Sequence, residues 1–402
     1  MTVKHHSLAV GQRSLGDPSV SFPLWPPITN GCPRTSTPEL AFPVEVDYAY
    51  EEVDRGLFTT DKGHGLEQWA PLLPPLLAPS LGEGATPLVE IRDGVWVKDE
   101  SRNPTWSHKD RLNRCTVSAA VGMGAQGVVV ASSGNHGASA AAYAARAGLR
   151  CIVIVSAGAP PAIMDFISAY GAVVVKAPIG ERIGLLRRIV SELDYHPVSN
   201  VTATHTGHSF GPEGYKTIAY EIHRALGIPA AVFVPTGYGE LLFGVWKGFA
   251  ELHQLGVSQS VPRIFACETA SGGPLNRALS LGVPATKVAV QSSDAYGINC
   301  AVSSYRGVVA VRESGGQALL VDEDEMHKAQ AEMAGSGLWA ETSSAAALAG
   351  LRQHGEQNGP VVCISTSSGF KNIGVGTHSP LPDVASWDDV RLYLKREGIR
   401  VS

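Results

Sequence analysis

The strongest constraint on the fold is an alternation of short, almost continuously apolar runs with longer helical patterns. The runs occupy residues 127–131, 151–156, 172–178, 230–235, 263–268 and 360–365. Runs that are apolar on both faces suit parallel strands covered on both sides by helices. Two such series in 402 residues predict an α/β protein of two domains, each a mainly parallel sheet with helices on both faces.

The boundaries of these domains are predicted from changes in composition. Residues 1–75 are rich in Pro, Ser, Thr and His, and they are interpreted as an irregular N-terminal extension that wraps around or pairs with something. A strand hairpin with its turn at Asp93-Gly94 follows. We assign residues 76–120 and 212–402 to a large domain, and residues 121–211 to a small, mobile one.

The overall composition excludes several classes of protein. A hydrophobic content of 44% with 17% charged residues is typical of globular proteins, and a net charge of −5 provides no basic field for nucleic acid. No apolar run is long enough for a transmembrane helix, and the N-terminus lacks a signal peptide's apolar stretch. The six cysteines form no C-x-x-C pair, so we predict a cytoplasmic protein with no metal site.

The segment from Asn103 to Arg111 contains a lysine in an unusual place. Pro104 marks a loop, and Ser107 is predicted to cap a helix that begins near Lys109. A helix N-terminus disfavours a cation, and a lysine with a lowered pKa is a better amine nucleophile. The alternative is a surface lysine paired with Asp110.

A second segment, residues 131–137, lies between a predicted strand and a predicted helix. Backbone N–H groups at a helix start bind anions, and the hydroxyls of Ser132 and Ser133 add donors that suit a carboxylate. Asn135 is able to donate to a phenolate oxygen. The alternative is an ordinary helix-capping turn.

The third segment, residues 235–240, also joins a strand to a helix. Gly237 and Gly239 allow the backbone to approach a phosphate closely. A dinucleotide-binding unit is the alternative, because Glu268 ends the next strand. The spacing does not meet the G-x-G-x-x-G fingerprint, however.

The fourth segment, residues 363–371, is a Ser-rich turn after a strand, where a hydroxyl is able to face a heterocyclic nitrogen. Combined, an amine nucleophile, an anion loop with an amide, a glycine loop and a hydroxyl are the parts needed to hold a phosphorylated pyridine aldehyde.

The four segments resemble those of fold-type II pyridoxal 5′-phosphate (PLP) enzymes, in particular threonine synthases, over residues 84–375. The resemblance implies that Lys109 carries PLP as a Schiff base in the interdomain cleft and that Asn135 binds the ring oxygen. It implies that the Thr366 hydroxyl is the partner of the pyridine nitrogen. The resemblance also implies that the cofactor phosphate is bound by Gly237, Tyr238, Gly239, Glu240 and Leu241. Residues 213–217 and 341–345 also resemble family motifs.

The substrate side departs from the threonine synthase pattern. In that family an N-S-x-N-P-x-R-like run binds the substrate phosphate, whereas residues 205–212 here place Gly211 at the arginine position. His136 stands where a threonine is usual, as in threonine dehydratases and diaminopropionate lyases. The predicted substrate-binding residues are Ser132, Ser133, Gly134, His136, His205 and His208.

The resemblance therefore implies β- or γ-elimination or replacement on a small amino acid, with Lys109 as the base at Cα. Threonine or serine dehydratase and diaminopropionate ammonia-lyase activities are alternatives. A nucleotide-binding oxidoreductase and a homologue without catalytic activity are hypotheses from other classes. We also expect a homodimer, and we interpret Cys32 as the remnant of a Cys-rich ribbon without zinc.

Overall fold

The computed structural model describes residues 6–59, 65–157, 159, 161–355, 357–372, 386–396 and 398–400. The strands are β1 Ala9–Ser14, β2 Ser21–Pro23, β3 Val44–Tyr48, β4 Leu88–Arg92, β5 Val95–Asp99, β6 Gly127–Ala131, β7 Arg150–Ser156, β8 Val173–Ala177, β9 His196–Pro197, β10 Ala231–Pro235, β11 Arg263–Thr269, β12 Ala318–Val321 and β13 Val361–Ser365.

The α-helices alternate with these strands through most of the chain. They are α1 Lys109–Gly122, α2 Asn135–Arg146, α3 Pro161–Ala169, α4 Arg182–Leu193, α5 Gly211–Leu226, α6 Glu240–Gln254, α7 Pro274–Leu281, α8 Tyr305–Ser314, α9 Glu323–Gly335, α10 Thr342–His354 and α11 Trp387–Arg396. None of the helices in the described ranges is long and apolar enough to cross a membrane.

The larger of two α/β sheets has the strand order β12-β11-β10-β13-β5-β4, with only the β4–β5 pair antiparallel. Alternate residues of its strands face opposite cores. Val232 packs with residues of α5 and α6, while Phe233 packs with residues of α9 and α10. The predicted hairpin is present, and Gly94 adopts a φ of 68° in its turn.

The smaller sheet has the order β8-β7-β6-β9 and is parallel throughout. Val128 and Val130 face a core with α2 and α3, whereas Val129 faces a core with Leu186 of α4. Both sheets are thus covered on both faces, and the predicted α/β class is confirmed. The exact domain boundaries and the mobility of the small domain stay predictions.

The N-terminal region is more regular than predicted, because β2, β1 and β3 form an antiparallel sheet. This sheet is anchored to the large domain through buried charges. Tyr48 Oη donates to Glu213 at 2.9 Å, and Lys247 Nζ lies 3.0 Å from Glu45 and 2.8 Å from Glu213. The sheet therefore braces α5 and α6, the two helices whose N-terminal ends approach the candidate site.

The helices α5 and α6 pack closely because α6 has glycine at the contact. A Cβ atom at Gly244 would lie 2.5 Å from Tyr215 Cβ and 2.6 Å from the Pro212 carbonyl oxygen. A side chain there would push the helices apart. This close packing sets the position of Tyr215 relative to the glycine loop that precedes α6.

Candidate active site

The candidate site lies where strands of the two α/β sheets end, and Lys109 is the first residue of α1. Lys109 Nζ donates to Tyr215 Oη at 3.0 Å. The backbone N–H of His108 donates to the Thr366 carbonyl at 2.9 Å, which ties the lysine segment to the fourth segment. Burial lowers the pKa of Lys109 despite the nearby carboxylate of Glu240, so the amine is biased toward its nucleophilic form.

The alternative pairing of Lys109 with Asp110 is absent. The Asp110 carboxylate accepts hydrogen bonds from the Thr105 N–H and the Ser139 hydroxyl, both at 2.6 Å. The predicted cap at Ser107 is wrong, because His108 occupies the N-cap position and Ser107 forms a β-bridge with Ser367. Asp110 thus fixes the loop before α1 and leaves Lys109 to face the cleft.

Asn135 begins α2 and contacts three residues of the large domain. Its Oδ1 accepts from Lys371 Nζ at 2.9 Å and from Ser367 Oγ at 3.2 Å, and its Nδ2 donates to Glu341 at 3.1 Å. Burial lowers the pKa of Lys371 to about 8. The amide is therefore held in one orientation beside the cleft.

The two serines before Asn135 have different surroundings. Ser132 Oγ accepts from the N–H of Gly134 at 3.3 Å. Ser133 Oγ accepts from the N–H of Ser156 at 2.7 Å, which turns it toward β7. Ser132 and the backbone of Gly134 are therefore better placed than Ser133 to meet a ligand carboxylate.

The glycine loop before α6, called here the glycine cradle, packs closely against Cys300 and Gly307. Gly239 is the N-cap of α6 with a φ of 86°, and no side chain caps the helix there. A Cβ at Gly239 would lie 3.1 Å from Gly307 N, and one at Gly237 would lie 2.9 Å from Cys300 Sγ. The free N–H groups of the first helical turn suit a phosphate.

Thr366 follows β13 and is paired with Ser344 of α10. The two hydroxyl oxygens are 2.8 Å apart, and Ser344 Oγ also accepts from the N–H groups of Thr366 and Ser367 at 3.0 and 2.9 Å. Ser344 therefore orients the Thr366 hydroxyl, which is neutral, at the carboxyl end of the strand.

His205 and His136 have ring nitrogens without a partner. His205 stacks on Tyr238 with ring centroids 4.1 Å apart, and its Nε2 lies 3.8 Å from a Glu240 oxygen. Among the described residues, no group hydrogen-bonds to His205 Nδ1 or His136 Nε2. Burial lowers the pKa of His205 to about 3 and that of His136 well below its ordinary value, so both rings are neutral.

His208 differs from these two histidines because protein groups occupy both of its ring nitrogens. Its Nδ1 accepts from the Phe210 N–H at 2.9 Å, so its Nε2 carries the proton and donates to His196 Nε2 at 2.9 Å. In this arrangement His208 holds the 205–210 segment together. A role in binding substrate stays a prediction for this residue.

The residues that the sequence did not single out are Tyr215, Glu341, Ser344 and Lys371. Glu341 and Ser344 lie in the 341–345 segment that had been identified only as a family motif. Tyr215 stands in place of the glutamine of the E-G-Q-K-T pattern, and that departure was the available signal. Lys371 ends the fourth segment, but nothing local indicated that it would reach Asn135.

Glu268, which supported the dinucleotide alternative, has a local structural partner. Its carboxylate accepts from the N–H groups of Leu275 and Asn276 at 2.9 and 2.7 Å, at the start of α7. Burial raises its pKa to about 7. Because the Glu268 carboxylate already bonds to the start of α7, it is not available to bind the ribose of a dinucleotide.

A separate group of potential metal ligands lies at the surface. One ligand atom each of Asp294, Glu323 and His327 falls within 4.8 Å of the others. His327 Nε2 and Asp294 Oδ2 are 3.1 Å apart and pair with each other. This group lies outside the four segments and is not part of the candidate site.

Known proteins match most of this chain. The model of the family described as pyridoxal-phosphate dependent enzyme matches residues 79–367. Threonine synthase of Methanocaldococcus jannaschii is 31% identical over 73% of this chain and 76% of that protein. Threonine synthase of Halalkalibacterium halodurans is 33% identical over 76% of this chain and 89% of that protein.

Solved structures share the fold. The processed form of threonine deaminase isoform 2 from Solanum lycopersicum has a TM-score of 0.61 at 20% identity, over 78% of this chain and 88% of that chain. A fungal L-serine ammonia-lyase from Rhizomucor miehei has a TM-score of 0.62 at 21% identity, over 71% and 94% of the two chains. The chain therefore belongs to the family of pyridoxal-phosphate dependent enzymes, and its cofactor is PLP.

Proposed function

We propose that this protein is a PLP-dependent lyase or synthase that eliminates or replaces a group at Cβ or Cγ of a small amino acid. The observation that carries the proposal is the convergence of an amine, an oriented amide, a glycine cradle and a neutral hydroxyl in one cleft. The threonine synthase relatives support the class of reaction.

The residues present fit the cofactor. The amine of Lys109 is buried beside Tyr215. Gly237 and Gly239 let the loop pack closely against Cys300 and Gly307, and no side chain caps the start of α6, so its backbone N–H groups remain available to a phosphate. We propose that Asn135 binds the ring oxygen and that the Thr366 hydroxyl bonds to the ring nitrogen. PLP, when bound, supplies the electron sink for carbanion chemistry at Cα.

Lys109 is proposed to have two roles, as the covalent anchor and as the base that removes the Cα proton. Its pKa is lowered by burial, which favours a neutral amine ready to accept a proton. Tyr215 holds Nζ at 3.0 Å and so orients the amine in both roles. A neutral Thr366 leaves the ring nitrogen without a carboxylate partner, which favours elimination or replacement over transamination.

The substrate carboxylate is proposed to bind at Ser132, Gly134 and the start of α2. Backbone N–H groups at this helix start and the Ser132 hydroxyl are suitable donors. Neutral His136 and His205 then lie on the side of the leaving group. Threonine or serine dehydratase and diaminopropionate ammonia-lyase activities are the second candidates, because Gly211 replaces the arginine expected for a phosphate.

The experiment compares the purified holoenzyme with Lys109→Ala, using Lys328→Ala as a control at an exposed lysine of α9. O-phosphohomoserine, O-phosphoserine, threonine, serine and diaminopropionate are each mixed with the protein. Release of ammonia, phosphate and keto acid is measured with the visible absorbance of the bound cofactor. We expect Lys109→Ala to lose that absorbance and turnover, and Lys328→Ala to keep both.

Retention of the lysine-linked absorbance by Lys109→Ala would overturn the proposal. The homodimeric state and the cytoplasmic location stay predictions. Sedimentation of the purified protein and fractionation of its native cell, respectively, test them.

A further inference from the structure

Glu240 has a buried carboxylate that makes no hydrogen bond with the residues the structure describes. It is the first residue of α6, and its side chain is only 10% exposed. Within the described part of the chain, its nearest potential ionic partner is His205 Nε2, 3.8 Å away, and that ring is neutral at ordinary pH. A buried carboxylate in this state is costly unless a ligand satisfies it.

The side chain of Glu240 points toward residues 205–212 and not along the phosphate-binding end of α6. Gly207 adopts a φ of 61°, and a Cβ atom there would lie 2.7 Å from Glu240 Cδ. Glycine at 207 therefore provides the space that the carboxylate occupies. The negative charge of Glu240 also raises the pKa of Lys109 against the effect of burial.

His205 lies beside Glu240 in this space, and His205 and His136 each have one ring nitrogen without a partner among the described residues. His205 and His136 are neutral, and a neutral imidazole nitrogen without a proton accepts a hydrogen bond. Their partnerless Nδ1 and Nε2 atoms therefore accept or donate according to tautomer, whereas the Glu240 carboxylate only accepts. A ligand group with N–H donors therefore satisfies the carboxylate of Glu240, whereas a phosphate is repelled by it because both are negatively charged.

Two buried basic groups lower the pKa of Glu240 against the effect of burial: Lys109, which is assigned to the cofactor, and Arg306. Arg306 is fully buried, and its guanidinium donates to the carbonyls of Val44 at 2.7 Å and Thr206 at 3.3 Å, with NH1 left unpartnered. Because Arg306 has no exposed surface and Glu240 keeps some, an incoming group meets the carboxylate first. From its buried position, the positive charge of Arg306 partly offsets the negative charge of Glu240.

We propose that Glu240 is a specificity-determining residue that accepts hydrogen bonds from an amine at Cβ or Cγ of the substrate. The substrate class is then a diamino acid, and phosphate esters are disfavoured by the carboxylate. This inference rests on the proposed function, because it assumes that residues 205–212 face the leaving group.

The test uses pairs of ligands that differ in one group. Diaminopropionate, serine and O-phosphoserine share a backbone and carry an amine, a hydroxyl and a phosphate at Cβ. Each is mixed rapidly with wild-type holoenzyme and with Glu240→Gln, and the change in cofactor absorbance gives a dissociation constant before turnover. Glu325→Gln, an exposed glutamate of α9, is the matched control.

We expect the wild type to bind diaminopropionate at least about tenfold more tightly than serine, with O-phosphoserine weakest. In Glu240→Gln the preference for the amine falls about tenfold, O-phosphoserine binds more tightly than before, and serine changes little. Glu325→Gln keeps the wild-type ratios.

Two results would overturn the inference: tighter binding of O-phosphoserine than of diaminopropionate by the wild type, or an unchanged preference in Glu240→Gln. If Glu240→Gln does not fold, Glu240→Ser replaces it, and the wild-type ratios remain decisive. A wild type that never shows the absorbance of lysine-linked cofactor refutes the proposed function instead. The two failures are therefore distinguishable.

Discussion

The two sides of the candidate site differ in how completely their polar groups are satisfied. On the cofactor side, Lys109, Asn135 and Thr366 each have a protein partner between 2.8 and 3.0 Å away. On the substrate side, Glu240 has no hydrogen bond and His205 has a nitrogen without one, among the described residues. The first side is held in place by protein, whereas the second is left for a ligand to complete.

This difference separates what the family shares from what this chain has changed. The proposed cofactor side keeps the lysine, asparagine and threonine that the resemblance to threonine synthases implies, although Tyr215 departs from the family pattern. The proposed substrate side has Gly211 and His136, which depart from that pattern, together with the carboxylate of Glu240. Substitutions on the first side should therefore affect cofactor binding and stability, and substitutions on the second should affect the choice of substrate.

The largest effect is expected at Gly239. Alanine there strains a φ of 86° and places a Cβ 3.1 Å from the backbone of Gly307, which shifts the loop proposed to bind the phosphate. We expect PLP affinity to fall about a hundredfold, roughly 3 kcal/mol, by titration of the apoprotein. Gly282→Ala is the control, since Gly282 has a φ of 68° with open space around it. An equal loss of PLP affinity in Gly239→Ala and Gly282→Ala would refute the proposed role of the Gly239 loop in binding the phosphate.

Lys371→Met tests the electrostatics of the cofactor side in the apoprotein. Burial lowers the Lys371 pKa from 10.5 to about 8, so the cost of the buried cation is complete below pH 8 and disappears as the pH rises toward 10.5. We expect Lys371→Met to be about 2 kcal/mol more stable than wild type at pH 7, after subtracting the lost hydrogen bond to Asn135. The advantage should shrink between pH 8 and 10.5 in urea unfolding. A difference in unfolding free energy that stays constant between pH 8 and 10.5 would show that Lys371 is not a buried cation with a lowered pKa.

Tyr215→Phe removes the hydroxyl that orients Lys109 and leaves the ring in place. We expect kcat to fall about tenfold with KM little changed, because the hydroxyl holds the amine and not the substrate. The pH at which kcat rises should also move, since the amine loses a partner at 3.0 Å. Tyr170→Phe, on the small domain, serves as the control. A rise in KM alone would place Tyr215 on the substrate side instead.

The smallest effects are expected from His136 and His208, whose ring nitrogens have different surroundings in the structure. His136→Gln should change substrate affinity several-fold at unchanged stability, because a ring nitrogen there has no protein partner. His208→Gln should lower stability by about 1 kcal/mol with substrate affinity unchanged, because its ring bonds to Phe210 and His196. Affinity measurements and urea unfolding of both variants check this. A change in substrate affinity at unchanged stability in His208→Gln would instead indicate that His208 binds the substrate.

Local patterns predicted the strands, the loops that follow them and the place of Lys109 at a helix start. The N-terminal strands were missed because β1 turns polar residues inward. Gln12 and Ser14 are buried, and Gln12 is satisfied by the carbonyls of Pro23, Leu24 and Pro26. A pattern of apolar residues cannot reveal a strand whose buried side chains are polar and bonded to a loop.

The sequence by itself determined the α/β class and the cofactor, and it predicted the position of Lys109 at a helix start, because these depend on short-range periodicity and on motifs within a few residues. Only the tertiary structure decided which distant residues meet. Tyr215 reaches Lys109 across 106 residues, and Glu240 lies beside Gly207 because α6 packs on α5. Such contacts follow from the order of strands and the packing of helices, which no local pattern encodes.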